Sequence, residues 1–219
     1  MTEPRRRNPA ETRKRILMAA VNEFSAHGFS GGRIDRIATA ARANTRMIYH
    51  YFGDKAGLYV AVLEHVLGEL RREELNIDVA AVPPYEGLLQ LFDFTYDHFE
   101  RHPKLVKLLS GENLIDAAYL KRSQATPVIS SPVLDLIANL LRRGAANGTV
   151  AAGIDPLQLY VLFVGLSYFH LSNGPTLSVI FSQDLKRPSW RRTHRRMARE
   201  MLAAYLLPDA ENLGDAAAE

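Results

Sequence analysis

Residues 33–55 have the sequence RIDRIATAARANTRMIYHYFGDK, which predicts two short helices joined by a tight turn. In the first helix, apolar residues recur at i, i+3, i+4 and i+7, so one side is expected to be buried. The residues on that side are Ile34, Ile37, Ala38 and Ala41. Asn44 is a good helix cap, so a second helix is predicted from Thr45 to about His50. A helix of this length spans roughly 10 Å and needs its neighbours to hold it.

The second short helix is expected to present a polar face to solvent. If Met47 or Ile48 and Tyr51 or Phe52 point inward, four neighbouring side chains point outward. These are Thr45, Arg46, Tyr49 and His50. In a helix-turn-helix, such a face enters the major groove of DNA, where Arg pairs with guanine and Thr or His can reach base edges. Spacing alone leaves open a second interpretation, a helical hairpin with a few exposed polar residues.

The order and spacing of residues from Arg13 to Leu63 resemble the N-terminal signature of the TetR family of transcriptional regulators. The matching positions are Gly28, Phe29, Ile37, Ala38, Ala41, Ile48, Tyr49, Tyr51, Phe52, Lys55 and Leu58. This resemblance implies an all-α fold. It consists of an N-terminal three-helix head with a helix-turn-helix, a long connecting helix, and a C-terminal helical bundle for ligand binding and dimerisation.

Three positions depart from the family pattern. Arg42 stands where the family usually has a turn glycine, which predicts a non-glycine residue in an unusual turn conformation at a modest energetic cost. Arg46 stands where another glycine is frequent, and Gly31–Arg33 replaces a usual Thr or Ser cap. The last two departures bear on the contacts with DNA.

Composition describes a globular chain that folds without covalent cross-links. The 219 residues are 47% apolar, enough for one sizeable domain or two modest ones. The absence of cysteine excludes disulfides, thiol catalysis and cysteine-ligated zinc. Neither a signal peptide nor an apolar run near 18 residues is recognisable, so a cytoplasmic protein without membrane insertion is expected.

Charge is distributed unevenly along the chain. Residues 1–57 contain 11 Lys and Arg against 5 Asp and Glu, a net charge of +6, while the remaining residues carry −3. A basic end on a mildly acidic body is consistent with binding of a polyanion at that end, although charge runs also occur as solvated surface. Arg5, Arg6 and Arg7 predict an arm that either contacts phosphates or only solubilises the chain.

Helix start and stop signals divide the chain into two domains and a tail. We predict a DNA-binding domain over residues 1–57 with an arm at 1–8, a ligand-binding and dimerisation domain over 58–208, and a frayed tail at 209–219. A connecting helix is predicted over 54–75 and a linker from Ile77 to Pro84. Further helices are expected over 85–102, from Pro103, over 113–122, 133–146 and 156–171, and from Ser189 onward. A break is predicted over 126–132.

The helices over 133–146 and 156–171 carry more apolar surface than one small bundle needs, which predicts a homodimer through them. Several aromatic and polar residues of the body could line a cavity for a small-molecule effector, with ordinary core packing as the alternative for each. These residues are Phe92, Tyr96, Phe99, Asn113, Tyr119, Tyr168 and His170.

Two further clusters of side chains do not lead to a functional prediction. His98 and His102 stand at i and i+4, with Glu100 on another face and Glu112 a possible neighbour, but two histidines are a weak metal signal. We therefore predict exposed histidines near a helix end, and neither a metal nor another cofactor. Five arginines of the last helix predict a solvated basic face rather than a second nucleic-acid surface. They are Arg191, Arg192, Arg195, Arg196 and Arg199.

The leading functional hypothesis is a homodimeric, ligand-responsive DNA-binding regulator, most simply a repressor that reads a palindromic operator. Bases would be read by Thr45, Arg46, Met47 and His50, and phosphates held by Arg33, Tyr49, Tyr51 and Lys55. One alternative is an all-α enzyme, but the sequence contains no nucleophile elbow, phosphate-binding glycine loop or metal motif. The other alternative is an architectural DNA-binding protein without an effector.

Overall fold

The computed structural model describes residues 8–79 and 81–208, without the side chains of residues 126–131. Most of the predicted basic arm and the predicted tail at 209–219 therefore lie outside the described residues. Within the described ranges the chain forms α-helices and one short 3-10 helix, and no strand, so the predicted all-α class is confirmed.

The helices are numbered in chain order. They are α1 (Pro9–Gly31), α2 (Ile34–Ala40), α3 (Thr45–Phe52), α4 (Lys55–Leu75), α5 (Pro84–Arg101), α6 (Pro103–Asn113), α7 (Ala125–Ala146), α8 (Pro156–Ser172), α9 (Gly174–Ile180) and α10 (Pro188–Leu206), with the 3-10 helix at Leu120–Arg122 between α6 and α7. Among the described helices, none combines the length and the apolar character that a bilayer crossing requires.

Helix α1 begins after a capping asparagine and is interrupted near its end by a glycine. The Asn8 side chain accepts a hydrogen bond from the Ala10 backbone N–H at 3.0 Å, and Pro9 occupies the first turn, where its missing N–H leaves no bond unmade. Gly28 interrupts the helical dihedral angles at φ 66°, and a last turn continues to Gly31. The buried side of α1 includes Ile16, Ala20, Val21 and Phe24.

The chain forms two compact units, whose division differs from the predicted domains. The first unit contains the chain through Glu69 together with Lys104–Pro127, and the second contains Leu70–Pro103 and the chain from Val128 onward. Helix α4 therefore contributes residues to both units.

In the first unit, α6 and the following turns complete the core around the three N-terminal helices. The Tyr119 ring lies 4.0 Å from the Phe29 ring and 5.3 Å from the Tyr59 ring, measured between centroids. Burial raises the pKa of the Tyr59 hydroxyl. The ring contacts make these three residues one aromatic cluster in the core of the first unit.

The prediction of a helix over 113–122 is wrong. After α6 ends at Asn113, residues 114–119 form turns and Leu120–Arg122 form a short 3-10 helix. Asp116 and Ala117 have positive φ angles of 52° and 55°, which end a right-handed helix. The carboxylate of buried Glu112 accepts the backbone N–H groups of Tyr119 and Leu120 at 3.2 and 2.9 Å. These bonds satisfy donors that a continued helix would have paired within itself.

The second unit is built around α5, whose buried side packs against α8 and α10. The Phe92 and Phe163 rings join α5 to α8 at a centroid distance of 5.8 Å. The Tyr85 hydroxyl donates to the Ala203 carbonyl of α10 at 3.3 Å. The core of the unit also includes Leu88, Tyr96, Val133, Ile137, Leu140, Leu159, Ala198 and Leu202.

The predicted break over 126–132 is also wrong, because α7 continues through Pro132. An internal proline removes one backbone hydrogen bond and costs about 3 kcal/mol in an isolated helix. The residues that follow, Val133, Ile137 and Leu140, are all buried in the core of the second unit. Burial of such side chains contributes about 1.5–3 kcal/mol each, enough to offset the missing bond.

Candidate nucleic-acid interface

Helix α3 is held in place by its cap and by one buried side chain. The Asn44 side chain accepts the Met47 backbone N–H at 2.9 Å, as predicted for a capping asparagine. Ile48 is completely buried, and Gly53 ends the helix with φ 77°. These contacts fix which side of α3 faces outward.

The outward face of α3 contains the four residues that the sequence predicted. Thr45, Arg46, Tyr49 and His50 are exposed, and their spacing of i, i+1, i+4 and i+5 puts them on one face. The flanking Met47 and Tyr51 are half-buried. A contiguous face of hydroxyl, guanidinium, phenol and imidazole groups can donate hydrogen bonds both to base edges and to phosphates.

The turn between α2 and α3 contains Arg42 and is held by Arg15. Arg42 adopts the left-handed region at φ 50°, so the unusual turn conformation predicted for this residue is present. From α1, the Arg15 Nε–H donates to the Ala41 carbonyl at 3.2 Å. Arg15 has no local sequence signal for this role, because its side chain reaches a carbonyl 26 residues away.

Glu23 of α1 replaces the cap that is missing at the start of α2. Arg33 makes no side-chain cap, but its backbone N–H donates to Glu23 Oε1 at 2.9 Å, and the Arg36 Nε–H donates to the same oxygen at 2.7 Å. Burial raises the pKa of the Glu23 carboxyl, but these hydrogen bonds outweigh burial and hold it below its ordinary value. The lack of a Thr or Ser cap near Arg33 is the sequence feature that indicates a cap from elsewhere in the chain.

The junction of α3 and α4 depends on a close backbone approach. The Gly57 N–H donates to Asp54 Oδ1 at 2.6 Å, so Asp54 caps α4 at the start of the connecting helix predicted over 54–75. A Cβ atom on Gly57 would lie 2.1 Å from the Phe52 carbonyl oxygen, so only glycine fits there without movement. This junction sets the direction in which α4 leaves the head.

Lys55 and Arg33, both predicted to hold phosphates, lie outside α3 and have intramolecular partners. The Lys55 ammonium lies 4.7 Å from the centre of the Phe29 ring and 3.4 Å from the Ser30 carbonyl oxygen. The Arg33 side chain lies 3.3 Å from the Asp35 carboxylate and is 65% exposed. The remaining predicted residues all belong to α3.

The residues predicted to line an effector cavity are not all in one place. Phe92, Tyr96, Phe99, Tyr168 and His170 belong to the second unit, where the Phe99 and Tyr168 rings meet edge to face. Asn113 and Tyr119 belong to the first unit. Asn113 is exposed, and Tyr119 packs in the aromatic core of that unit. The segment 104–127 that contains both residues belongs to the same unit as the head, whereas the other five residues belong to the second unit.

A hydrogen-bonded histidine pair lies at the polar end of this aromatic group. The Tyr96 hydroxyl lies 2.8 Å from His194 Nδ1 and 3.4 Å from His170 Nε2. Burial, with smaller contributions from His194 and Arg191, lowers the pKa of His170 to about 4, and burial also lowers the pKa of His194. Both rings are therefore neutral at pH 7 and can donate or accept hydrogen bonds. His194 was missed because its partners lie on other helices.

The prediction of exposed histidines at the end of α5 was wrong for His98, which is buried, while His102 is half-buried. Burial, followed by the neighbouring His102, lowers the pKa of His98 to about 4. Glu112, the suggested neighbour, belongs to the first unit and bonds to its own turn. Glu73 of α4 is the carboxylate that meets His98.

The basic face of α10 is partly neutralised by acids of α5. Arg195 donates to both oxygens of Asp97 at 2.5 and 3.1 Å, and Arg199 donates to Asp93 at 3.0 Å. Arg191 lies 3.8 Å from Glu100. These ion pairs argue against a nucleic-acid surface, since paired guanidinium groups have less capacity for phosphates.

Two helices of the second unit, α8 and α10, carry large apolar side chains that are exposed. On α8 they are Leu157, Val161, Leu162 and Phe169, and on α10 they are Met197, Met201 and Tyr205. The described side chains of α7 contribute no large exposed apolar residue, because the core takes up its apolar side. Of the two predicted segments, 156–171 keeps its exposed apolar face and 133–146 does not.

Comparison with known proteins gives consistent matches in both parts of the chain. Residues 16–62 match the family model "Bacterial regulatory proteins, tetR family", and residues 84–202 match "Tetracyclin repressor-like, C-terminal domain". The HTH-type transcriptional repressor NicS of Pseudomonas putida is 37% identical over 174 residues, which are 80% of this chain and 82% of NicS. The HTH-type transcriptional regulator RutR of Escherichia coli K12 is 39% identical over 185 residues, 84% of this chain and 85% of RutR.

The fold agrees with these sequence matches. A crystal structure of the transcriptional regulator SCO4942 from Streptomyces coelicolor superposes with a TM-score of 0.67 at 26% identity, covering 89% of this chain and 98% of that one. Fold and exposed α3 face together define a helix-turn-helix DNA-binding regulator of transcription. More specifically, the chain belongs to the TetR family. Its relatives are regulators, which implies a non-enzymatic role.

Proposed function

We propose that this protein is a homodimeric, ligand-responsive transcriptional repressor that binds an inverted-repeat operator. The observation that carries the proposal is the face of α3, where Thr45, Arg46, Tyr49 and His50 are exposed while Ile48 anchors the helix in the core. The similarity to NicS, which is described as a transcriptional repressor, supports repression rather than activation.

The exposed residues divide into two roles. Thr45, Arg46 and His50, with half-buried Met47 at their edge, read bases, because they lie on the part of α3 that a helix-turn-helix inserts into the major groove. Tyr49, Tyr51, Arg33 and Lys55 hold phosphates and fix the register of the helix on DNA. Lys55 reaches a phosphate by leaving the Ser30 carbonyl oxygen, a weak contact at 3.4 Å.

A second copy of the chain covers the apolar faces of α8 and α10. The exposed side chains along these helices would otherwise leave a large apolar surface in water. A two-fold axis makes one such patch meet its own copy and repeats α3 at the spacing of the half-sites, about 34–36 Å.

A small effector is bound in the second unit, beside the aromatic residues around Tyr96. The hydroxyl of Tyr96 and the His170 and His194 rings are polar groups beside the aromatic rings of Phe92 and Trp190, and ligand sites combine such groups. Because α4 belongs to both units, it can transmit the binding event to the head. The effector acts only through its different affinity for the two states.

The decisive experiment is selection of duplexes from random DNA, followed by gel shifts of the selected operator with two variants. Arg46→Ala should weaken binding to the operator by roughly 1–3 kcal/mol and much less to random DNA. Lys55→Ala should weaken both about equally and reduce the slope of affinity against salt by about one. Repetition with a panel of metabolites identifies compounds that release the DNA.

Arg142→Ala is a suitable control, because Arg142 is an exposed arginine on α7 with the same side chain. It should leave both affinities unchanged. Selection that yields no inverted repeat would contradict the proposal. Equal losses for Arg46→Ala and Lys55→Ala on both kinds of DNA would contradict the separate roles.

A further inference from the structure

Three side chains with metal-binding chemistry meet in the second unit. Glu73 lies near the end of α4, while His98 and His102 lie in the last turn of α5 and at its C-cap. One carboxylate oxygen and one ring nitrogen from each histidine all lie within 4.8 Å of one another. Two histidines four residues apart face the same side of a helix, so the carboxylate from a second helix completes the group.

The distance between Glu73 and His98 suits a shared ion. Their Oε2 and Nδ1 atoms are 3.1 Å apart. Ligands of a tetrahedral Zn²⁺, with bonds of about 2.0–2.1 Å, are themselves about 3.3 Å apart. The present contact places a proton on His98 Nδ1, because a carboxylate only accepts. For one cation to bind both atoms, this proton leaves Nδ1 and the contact opens slightly.

A bond to the backbone determines which ring nitrogen of His102 is free to bind a metal. Its Nδ1 lies 2.8 Å from the His98 carbonyl oxygen, which can only accept, so Nδ1 carries the proton. The lone pair of the neutral ring is therefore on Nε2. Metal-binding histidines usually have this arrangement, with the other ring nitrogen donating to a carbonyl or carboxylate.

Burial and composition of the group indicate the kind of ion. Two imidazoles and one carboxylate favour divalent transition metals such as Zn²⁺, whereas Ca²⁺ and Mg²⁺ prefer oxygen ligands. Glu73 has a side chain that is 44% exposed, while His98 is buried, so an ion can enter from solvent and reach an interior ligand. Three protein ligands leave a fourth position for water or a small molecule.

We propose that Glu73, His98 and His102 form a binding site for one divalent transition-metal ion, with Zn²⁺ as the representative. The ion joins the end of α4 to the end of α5. The site stands on its own geometry and does not depend on the proposed repressor function, because its test measures metal uptake and not DNA binding.

The test uses the untagged full-length protein after treatment with a chelator. Isothermal titration with Zn²⁺ should give one ion per chain, and Co²⁺ should give the visible absorption of a low-symmetry site. Glu73→Gln and His102→Ala should each weaken the affinity by at least roughly tenfold. Neither change empties the core, since Glu73 is exposed and His102 half-buried, and circular dichroism checks that both variants fold.

Glu69→Gln provides a matched control on the same helix. Glu69 lies 3.4 Å from His65 in an i, i+4 pair, so it resembles the Glu73–His98 contact, but no third ligand in the described part of the chain joins it. This variant should bind Zn²⁺ as the unmodified protein does. Absence of saturable uptake of Zn²⁺ and Co²⁺, or uptake that persists unchanged in Glu73→Gln and His102→Ala, would overturn the proposal.

Discussion

Arg42, in the turn of the helix-turn-helix, adopts a backbone conformation that is unfavourable for a residue with a side chain. At φ 50° a residue with a Cβ is strained, whereas glycine adopts this region freely. The neighbouring Arg15–Ala41 bond keeps the turn in place without help from Arg42 itself.

Arg42→Gly should therefore raise the free energy of unfolding by up to about 1 kcal/mol, because relief of strain exceeds the added entropy of the unfolded chain. Urea unfolding measures the change. Arg42→Ala, which keeps the Cβ, is the control and should not stabilise. A stabilisation by both variants would locate the effect in the lost charge rather than in the backbone.

Glu23 contributes stability that depends on pH, because its pKa is lower in the folded protein than in the unfolded chain. The contribution is complete above the unfolded value of about 4.3 and is lost as the pH falls through the folded value. Glu23→Gln should reduce the free energy of unfolding by about 1–2 kcal/mol at pH 7, and the difference from the unmodified protein should disappear on acidification.

Unfolding curves between pH 7 and pH 3 test this prediction. Glu200→Gln makes the same chemical change at an exposed position of α10 and should alter stability by only a few tenths of a kcal/mol. If the loss in free energy of unfolding caused by Glu23→Gln stays constant throughout this range, packing and not charge is responsible.

At the scale of elements, the start of α4 is the tightest junction of the head. Gly57→Ala places a methyl group against the Phe52 carbonyl oxygen and must shift α3 or α4. We expect a loss of about 1–3 kcal/mol in stability and weaker operator binding, because α3 carries the DNA-reading face. Urea unfolding and gel shifts measure the two effects.

Gly68→Ala offers a matched comparison within the same helix. Nothing lies within 4 Å of a Cβ at position 68, so alanine should stabilise α4 by roughly 0.5–1 kcal/mol with no loss of DNA binding. Destabilisation of similar size at both positions would mean that the contact at Phe52 is not the cause.

Local sequence patterns predicted most helix boundaries. They did not predict contacts between distant segments of the chain. Asn8, Asn44 and Asp54 act as the caps that their residue types predict, since capping depends on three or four consecutive residues. The turns after Asn113 and the continuity of α7 depend on partners outside these segments. For the turns the partner is the Glu112 carboxylate, which lies only seven and eight residues before the N–H groups that it accepts. For α7 it is the core of the second unit around Ile137, which local sequence does not reveal.

The same distinction applies to the candidate sites. The exposed face of α3 follows from a helical period and one buried isoleucine, so the sequence could place it. The grouping of Tyr96 with His170 and His194 requires three helices to meet, and the approach of Glu73 to His98 requires two. Spacing along one helix cannot supply either arrangement.

At the scale of the whole molecule, the proposed dimer forms through the apolar faces of α8 and α10. A charged side chain introduced on either face should therefore disrupt dimerisation. Val161→Glu or Met201→Glu should yield monomers at concentrations where the unmodified protein is a dimer, because an ionised carboxylate would be buried in the contact. Light scattering after size exclusion measures the mass, and operator affinity should fall in parallel.

Leu114→Glu is the control for this experiment, since Leu114 is 87% exposed but lies in the first unit. It should leave the dimer intact. If Val161→Glu and Met201→Glu also remain dimeric, another surface must hold the two copies together.

The ion pairs of Arg195 and Arg199 with Asp93 and Asp97 have a consequence for how the protein searches a genome. Guanidinium groups already compensated by carboxylates displace few of the cations condensed on a duplex. The positive charge available for nonspecific binding to chromosomal DNA therefore lies in the N-terminal residues. Nonspecific DNA should accordingly attract the end of the protein that contains the helix-turn-helix.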